Sequence, residues 1–499
     1  NFLMSNEINY NKKILLNLDG YQLNVFVEPI KKILSEYPIK IALHCASLDD
    51  KKILETNFEK NIKIYCYEEY VRENYKEVKA EDFSLFSSLS GLSIEEIDLA
   101  FEFYKKYYFH PIVKKSKKEN ISKKRAVLYF NFYKKIFKEF NPNIILHEHT
   151  GGTGSKILWN YCKKYNCDYF FIKGMYFADK FIILDHKNFL SPFFDSKSLK
   201  QYSDKEIQDF KKEYLNKKFL APFEIHSKKI NKTKFFKKIK NFFEKITVYR
   251  RNFNEINYLL NRFPPIIDGI FFKILSKIKK FIFNNFISDN VNLNEKYVTI
   301  FLQVEPELTV YSLQHKLNLI KVIKNLSTAL PKNYFIYLKE HPSQHINSRF
   351  RSLSFFNDLK KIKNLKICKI DLNSTDLIKN SEFLVTGGGT AAFESILLNK
   401  PCINYGQNFY LNYETLVNLK TENEIFEKVG IILNDKKYEK SFKISENKNI
   451  NFALNVKNSM LDGYLFLSKE IESIKFIKEN ERLLYNSLKE ILTKITNKN

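Results

Sequence analysis

The sequence predicts an α/β protein with two parallel-sheet domains, a basic helical connector between them and a helical tail. Three observations carry this reading. Short apolar runs alternate with helix-spaced segments through residues 1–215, the pattern of a sheet covered by helices. The alternation resumes at Tyr297, after a segment of different character. Twice, at 143–165 and 381–406, an apolar strand runs into a glycine-rich turn that opens a helix. At 499 residues the chain exceeds one ordinary core. The expected division is 1–215 as a first α/β domain, 216–290 as the connector, 291–450 as the second domain and 451–499 as the tail.

In the first domain KILLNL (13–18) is a strand, followed by helical spacing at Leu23, Val27, Ile30 and Leu34. Pro29 falls inside that pattern and either kinks the helix or marks its start. IKIALHCA (39–46) and IKIYCYE (62–68) are the next strands, and 94–140 reads as helical with a basic middle from Lys114 to Arg125. NIILHEHTGGTGSKILWNYCKKY (143–165) is strand, turn and helix, and CDYFFIKGMYF (167–177) is a further strand.

Residues 226–286 mix Lys with Phe and Ile at helical spacing, broken by Pro264-Pro265. Such stretches can lie on a membrane surface with their ammoniums toward lipid phosphates. Equally, they can pack on their own protein as an interdomain connector. In the second domain YVTIFLQV (297–304), NYFIYLKEHP (333–342) and NLKICKI (364–370) read as strands, with helices at 312–330 and 373–380.

Composition narrows the classes. With 44% hydrophobic and 15% aromatic residues the chain can bury large cores and is not disordered. Abundant Lys, Asn, Ile, Phe and Tyr beside 13 Gly suggest AT-rich coding, so part of the lysine excess is drift. A net charge of +26 still attracts anionic partners: nucleic acid, acidic lipid or phosphorylated metabolites. The six cysteines form no CxxC pair, which points to buried thiols, a reducing compartment and no metal. No apolar run reaches the ~20 residues of a bilayer span, and no signal segment opens the chain. The expectation is a cytoplasmic protein, peripheral at the inner membrane where the connector touches lipid.

Ligands of open parallel sheets collect at the carboxyl ends of strands, where the candidate residues fall. Thr386, Gly387, Gly388, Gly389 and Thr390 let the backbone approach an anion at a helix N-terminus, and Glu394 lies one turn further on. The turn lacks both the GxGxxG fingerprint and a following GK[ST], which argues against hydride transfer and ATPase chemistry. Lys339, His341 and Pro342 end a strand, with the imidazole able to donate to a phosphate oxygen. Gln303 and Glu307 end the domain's first strand, where they can contact ribose or sugar hydroxyls. In the first domain Glu148 and His149 stand between strand and helix. HEH here is no HExxH zinc site; it reads either as a general base facing a sugar hydroxyl or as a polar strand end that shapes the turn. Asp19-Gly20 is a weaker candidate for an acceptor-side loop.

The series LQVEPE, YLKEHP and TGGGTAAFESILLNKPCINYGQNFY resembles bacterial capsule and surface-polysaccharide glycosyltransferases of the GT-B fold, β-Kdo transferases among them. The resemblance covers 290–415, and the first domain only by architecture. It implies two Rossmann-like domains facing across a cleft, the nucleotide-sugar donor on the second and a polysaccharide or glycolipid acceptor on the first. It further implies that His341, Pro342, the Gly387 to Thr390 turn and Glu394 hold the donor, with no cofactor or metal beyond that substrate. The turn here is GGGT where serine is common, and LNYETLV departs from the family's segment after the aromatic loop; both leave the donor nucleotide open.

The expected function is therefore metal-independent transfer of a sugar to a growing capsule or lipopolysaccharide chain. The alternatives are polyol-phosphate transfer, nucleotide-sugar 2-epimerisation, a catalytically dead assembly scaffold and, more remotely, nucleic-acid binding through the Phe/Lys segment 228–283. No specific nucleic acid is expected, because no known binding motif appears.

Overall fold

The structure is a computed structural model. It describes residues 8–18, 20–58, 62–93, 115–147, 153–216, 277–278, 280–303, 317–341, 344, 351, 353–410, 412–434, 446–465 and 473–497. Two sheets organise these residues. The first has the order β3-β2-β1-β4-β5-β6-β13, with β1 Lys13–Asn17, β2 Lys40–Cys45, β3 Lys63–Cys66, β4 Ile144–His147, β5 Asp168–Gly174, β6 Lys180–Asp185 and β13 Leu461–Asp462. β1 to β5 are mutually parallel, and β6 is antiparallel to both of its neighbours.

Strands such as ILLN and IILH are buried throughout because helices cover both faces, so they read as unbroken apolar runs. Helix α1 (Gly20–Glu36) and helix α2 (Leu48–Asn57) cover one face. The other face carries α3 (Tyr67–Asn74), α4 (Asp82–Ser90), α5 (Lys115–Glu139) and α6 (Thr153–Lys164), and α7 (Asp204–Asn216) follows β6. Pro29 lies inside α1, which starts nine residues earlier at Gly20. Ser47 caps α2 by accepting from the Asp50 amide at 3.0 Å, and Asp49 and Asp50 complement the dipole.

β3 ends earlier than the 62–68 run suggested. From Tyr67 the chain is helical, because Glu68 and Glu69 fall in its first turn and Glu68 is anchored from two sides. Its buried carboxylate accepts the Leu48 amide at 2.9 Å and pairs with Arg72 at 2.7 Å. Of the helix expected over 94–140, the described part is α5. All six cysteines are buried thiols, none of them in a disulfide among the described residues.

The second sheet is wholly parallel, in the order β9-β8-β7-β10-β11-β12. Its strands are β7 Tyr297–Phe301, β8 Phe335–Lys339, β9 Leu365–Ile367, β10 Leu384–Thr386, β11 Cys402–Asn404 and β12 Leu416–Asn418. In chain order this is the doubly wound 3-2-1-4-5-6 arrangement, whose order reverses between β7 and β10. The helices are α8 (Leu319–Ala329), α9 (Leu353–Lys360), α10 (Ser374–Asn380), α11 (Thr390–Leu397) and α12 (Ile425–Asn434). Between 216 and 290 only 277–278 and 280–290 are described, so most of the basic connector lies outside the described residues. Among the described residues no helix is long and apolar enough to cross a membrane.

The two sheets share one apolar junction. Phe171, Ile182 and Leu184 of the first domain meet Phe393, Tyr410 and Phe452 beyond it. Tyr176 holds a left-handed backbone (φ 60°), stacks on Phe393 at 4.3 Å and exchanges a hydroxyl hydrogen bond with Tyr410 at 2.6 Å. Helix α13 (Glu446–Asn458) then carries the chain back: Asn451 donates to the Lys200 carbonyl at 3.0 Å and Lys457 pairs with Glu213 at 3.4 Å. The tail is not all helix. It adds β13 to the edge of the first sheet, Leu461 opposite Phe181, before α14 (Ile474–Thr496) packs its Leu484, Leu488 and Ile491 into the core under α1.

Gly463 makes that return possible: its φ is +139°, and a Cβ there would sit 2.5 Å from the Leu484 side chain. Gly463→Ala should cost about 1–3 kcal/mol through backbone strain and overpacking, read as a lower urea midpoint. An unchanged midpoint would mean that the tail is not docked as described.

Candidate functional site at the switch point of the second sheet

The reversal between β7 and β10 opens a crevice at their carboxyl ends, and the glycine turn lies at it. Gly388 (φ +102°) and Gly389 (φ +75°) occupy conformations that L side chains rarely adopt, and Gly389 is the N-cap of α11. Gly389 has no side chain to cap α11, so among the described residues its first N–H groups and dipole face the crevice.

Gln303, two residues past β7, crosses the reversal. Its Nε2 donates to Thr386 Oγ1 at 3.0 Å and to the Gly388 carbonyl at 3.2 Å. Its own carbonyl accepts from the Arg351 guanidinium at 2.6 Å. Arg351 in turn bonds Glu340 at 2.9 Å, both side chains being buried, and the other Glu340 oxygen accepts the His341 amide at 2.9 Å. Three strand-end loops are thus tied to one residue, Gln303, through its carboxamide and its backbone carbonyl. Sequence reasoning missed Arg351, because eight residues separate it from the KEHP motif and nothing local marks it.

His341 carries a pKa lowered to about 4, first by burial and then by Arg351 and Lys339. The imidazole is therefore neutral near pH 7 and lies in a positive surrounding that an anion would relieve. Lys339 has a different part from the one its place in the motif suggested. It is buried, and its ammonium donates to the carbonyls of Lys369 (2.8 Å) and Ile370, bracing the chain after β9. Burial lowers its pKa to about 8. Glu394 is half-buried one turn into α11. Of the remaining expected residues, Glu307 and Pro342 lie outside the described residues, as do Glu148, His149 and Asp19 of the first domain.

The far wall is the segment after β11. The Tyr405 amide donates to the Thr386 carbonyl at 3.0 Å, and a Cβ on Gly406 would lie 1.8 Å from the Gly387 carbonyl oxygen. Only glycine permits that approach. Asn404 and Asn408, both buried, lie within 4 Å of where a Gly388 side chain would start. Among the described residues no group of three His, Cys, Asp or Glu could hold a metal ion.

Two outcomes follow. Gly406→Ala should displace the turn against a backbone atom that cannot yield, costing ~3 kcal/mol or more in thermal or urea unfolding; wild-type stability would refute the packing. His44, His186 and His341 all have pKa values lowered to about 4, with burial as the first cause. The unfolded chain therefore binds more protons than the native one between pH ~6.5 and ~4. Their stabilisation is complete above that window and falls as pH drops through it, by up to ~1.4 kcal/mol per pH unit for each histidine. Urea midpoints at about pH 7 and about pH 5 measure it, and a flat profile would exclude it.

Residues 196–415 match the model of a family described as capsule polysaccharide biosynthesis protein. No curated protein sequence matches the chain. Among solved structures, the UDP-GlcNAc 2-epimerase of Neisseria meningitidis bound to UDP-GlcNAc is 12% identical over 90% of this chain and 99% of its own, with a TM-score of 0.25. The epimerase of Methanocaldococcus jannaschii is 15% identical over 89% and 99%, at 0.23. KpsC of Thermosulfurimonas dismutans, a β-Kdo 2,7-transferase, is 11% identical over 72% and 95%, at 0.31. Likenesses at this level do not bear on activity. The family match is another matter, because it spans LQVEPE, YLKEHP and the whole glycine-turn unit, the segments that build the crevice. Through these residues the chain is similar to the capsule polysaccharide biosynthesis family over 196–415.

Proposed function

We propose that this protein is a glycosyltransferase that moves a sugar from a nucleotide-activated donor to a growing capsule or lipopolysaccharide chain. The observation that carries the reading is the Gln303 bridge, which holds an uncapped helix N-terminus open at the switch point of a doubly wound sheet. That is where a phosphate is stabilised by backbone N–H groups and the helix dipole. The neutral His341 beside Arg351 adds a donor in a positive surrounding.

In this reading the crevice binds the donor phosphate and neutralises the leaving nucleotide as the glycosidic bond breaks. An acceptor hydroxyl, deprotonated by Glu148 or His149 of the first domain, attacks the anomeric carbon. In the same reading Glu394 contacts a hydroxyl or base edge of the donor. The chain needs no cofactor besides the nucleotide-sugar, and it works at the cytoplasmic face of the inner membrane, with 228–283 meeting anionic lipid.

The test is a thermal-shift panel of CMP, UDP and CDP followed by product analysis with their sugar conjugates. One nucleotide should raise the midpoint, since ligand at a hundredfold excess over its Kd adds ~2.7 kcal/mol to the native state. Gln303→Ala should abolish that shift. No shift from any of the three would sink the donor-site assignment. Epimerised free sugar nucleotide in place of a glycosylated acceptor would replace transfer by epimerisation.

A further inference from the structure

The second domain leaves a pair of aromatic rings exposed at its edge. Residues 280–287 are helical, and their last turn, Phe283–Ile287, is π-helical. The inner face of this stretch is fixed. Phe283 and Ile287 are buried in the core, with the Phe283 ring edge-on to Phe356 of α9 at 5.2 Å. The wide turn is closed by the Ser288 amide on the Phe283 carbonyl, and a turn of that width aligns residues five apart. Phe281 and Phe286 therefore meet on the outer face, edge to ring at 6.3 Å. They are 62% and 68% exposed, the two most exposed aromatic rings among the described residues. Ile278, one turn earlier, is exposed as well.

A single exposed apolar side chain needs no explanation, but paired rings on one face call for a partner. Their surroundings are basic. Lys277 and Lys280 are exposed on the same stretch, as are Lys360, Lys361 and Lys363 at and just beyond the end of α9. The Lys360 ammonium donates to the Phe286 carbonyl at 2.9 Å, which sets this second group of lysines against the rings. Asp358 pairs with Lys361 at 2.7 Å. The patch also has a definite place in the fold. Asn284 accepts the Ile370 amide at 3.4 Å, and the Asp289 amide donates to the Ile367 carbonyl at 2.7 Å. The chain thus runs back along edge strand β9 from its carboxyl end, the end of the sheet at which the crevice opens.

We propose that Phe281 and Phe286 form a wedge that enters the acyl boundary of an anionic bilayer, with Lys277, Lys280 and Lys360 on the lipid phosphates. A lipid surface answers both halves of the patch at once, since acyl chains take the rings and headgroup phosphates take the ammoniums. The wedge rests on the lipid contact of the transferase reading. It makes that contact an insertion by two rings of the second domain, where adsorption of the basic segment alone would be purely coulombic. A chain docked this way keeps its crevice beside the membrane.

The experiment uses the full chain with vesicles of phosphatidylcholine alone and of phosphatidylcholine and phosphatidylglycerol in equal parts. Co-sedimentation should require the anionic lipid. Phe281→Ser combined with Phe286→Ser should weaken it about tenfold or more without moving the urea midpoint. In Phe286→Trp, bromine on the acyl chains should quench fluorescence beyond the background of Trp159, the only tryptophan of the sequence. No binding by the wild type would overturn the wedge together with the lipid contact on which it rests. Undiminished binding by the double variant, with no added quenching in Phe286→Trp, would overturn the wedge and leave contact by the basic segment standing. Equal binding to phosphatidylcholine alone would remove the anionic partner. A lower urea midpoint in the double variant would mean that the rings pack on their own chain, and a dimer that the variant abolishes would give them to a second copy; either result overturns the proposal.

Discussion

The contact on which the second domain depends is the approach of Gly406 to the Gly387 carbonyl. It is a backbone-on-backbone contact that no side chain could enter. It seats the segment after β11 directly behind the turn after β10, and so fixes the wall against which the turn is bent. The Tyr405 amide on the Thr386 carbonyl keeps the same register. With that wall in place, Gln303 can reach Thr386 and Gly388 from the opposite side. The turn is held between two strands' loops, and the N-terminus of α11 stays open. A turn so constrained loses little entropy on meeting a ligand, which favours preorganised electrostatic binding.

Around that turn, charge is arranged economically. Arg351 and Glu340 form a buried pair that would be costly if broken, because either partner left alone is an uncompensated charge. The pair joins the loop after β8 to Gln303 at the end of β7. It leaves His341 neutral beside a cation, so the crevice gains positive potential without a free lysine. Lys339 was a candidate donor-side residue because it ends the same strand as His341. Strand alternation turns it away into the carbonyls after β9, where it braces structure.

Much of this was legible. The apolar runs at 13–18, 39–46 and 297–304, and the one that opens 143–165, contain β1, β2, β7 and β4, because strands buried on both faces carry unbroken hydrophobic sequence. The glycine turn and its helix were visible because three consecutive glycines before a helix have few other uses. β6, β13 and Arg351 were not visible. FIILD looks like any buried run, and the two residues of β13 pair only because α13 first returns the chain to the first domain. Their partners are distant in sequence, and no local periodicity records a distant partner.

The sequence by itself determined the alternation of strand and helix, the two glycine-turn units and the anion-seeking chemistry of the second. These follow from local propensity and spacing, which each segment carries within itself. Tertiary structure alone decided which polar residues would meet. Strand order brought Gln303 beside Thr386 and parallel register set Asn17 beside His44, while the returning tail closed the first sheet. Pairing between parallel strands is chosen by packing of whole elements, so it is settled only when the chain is folded.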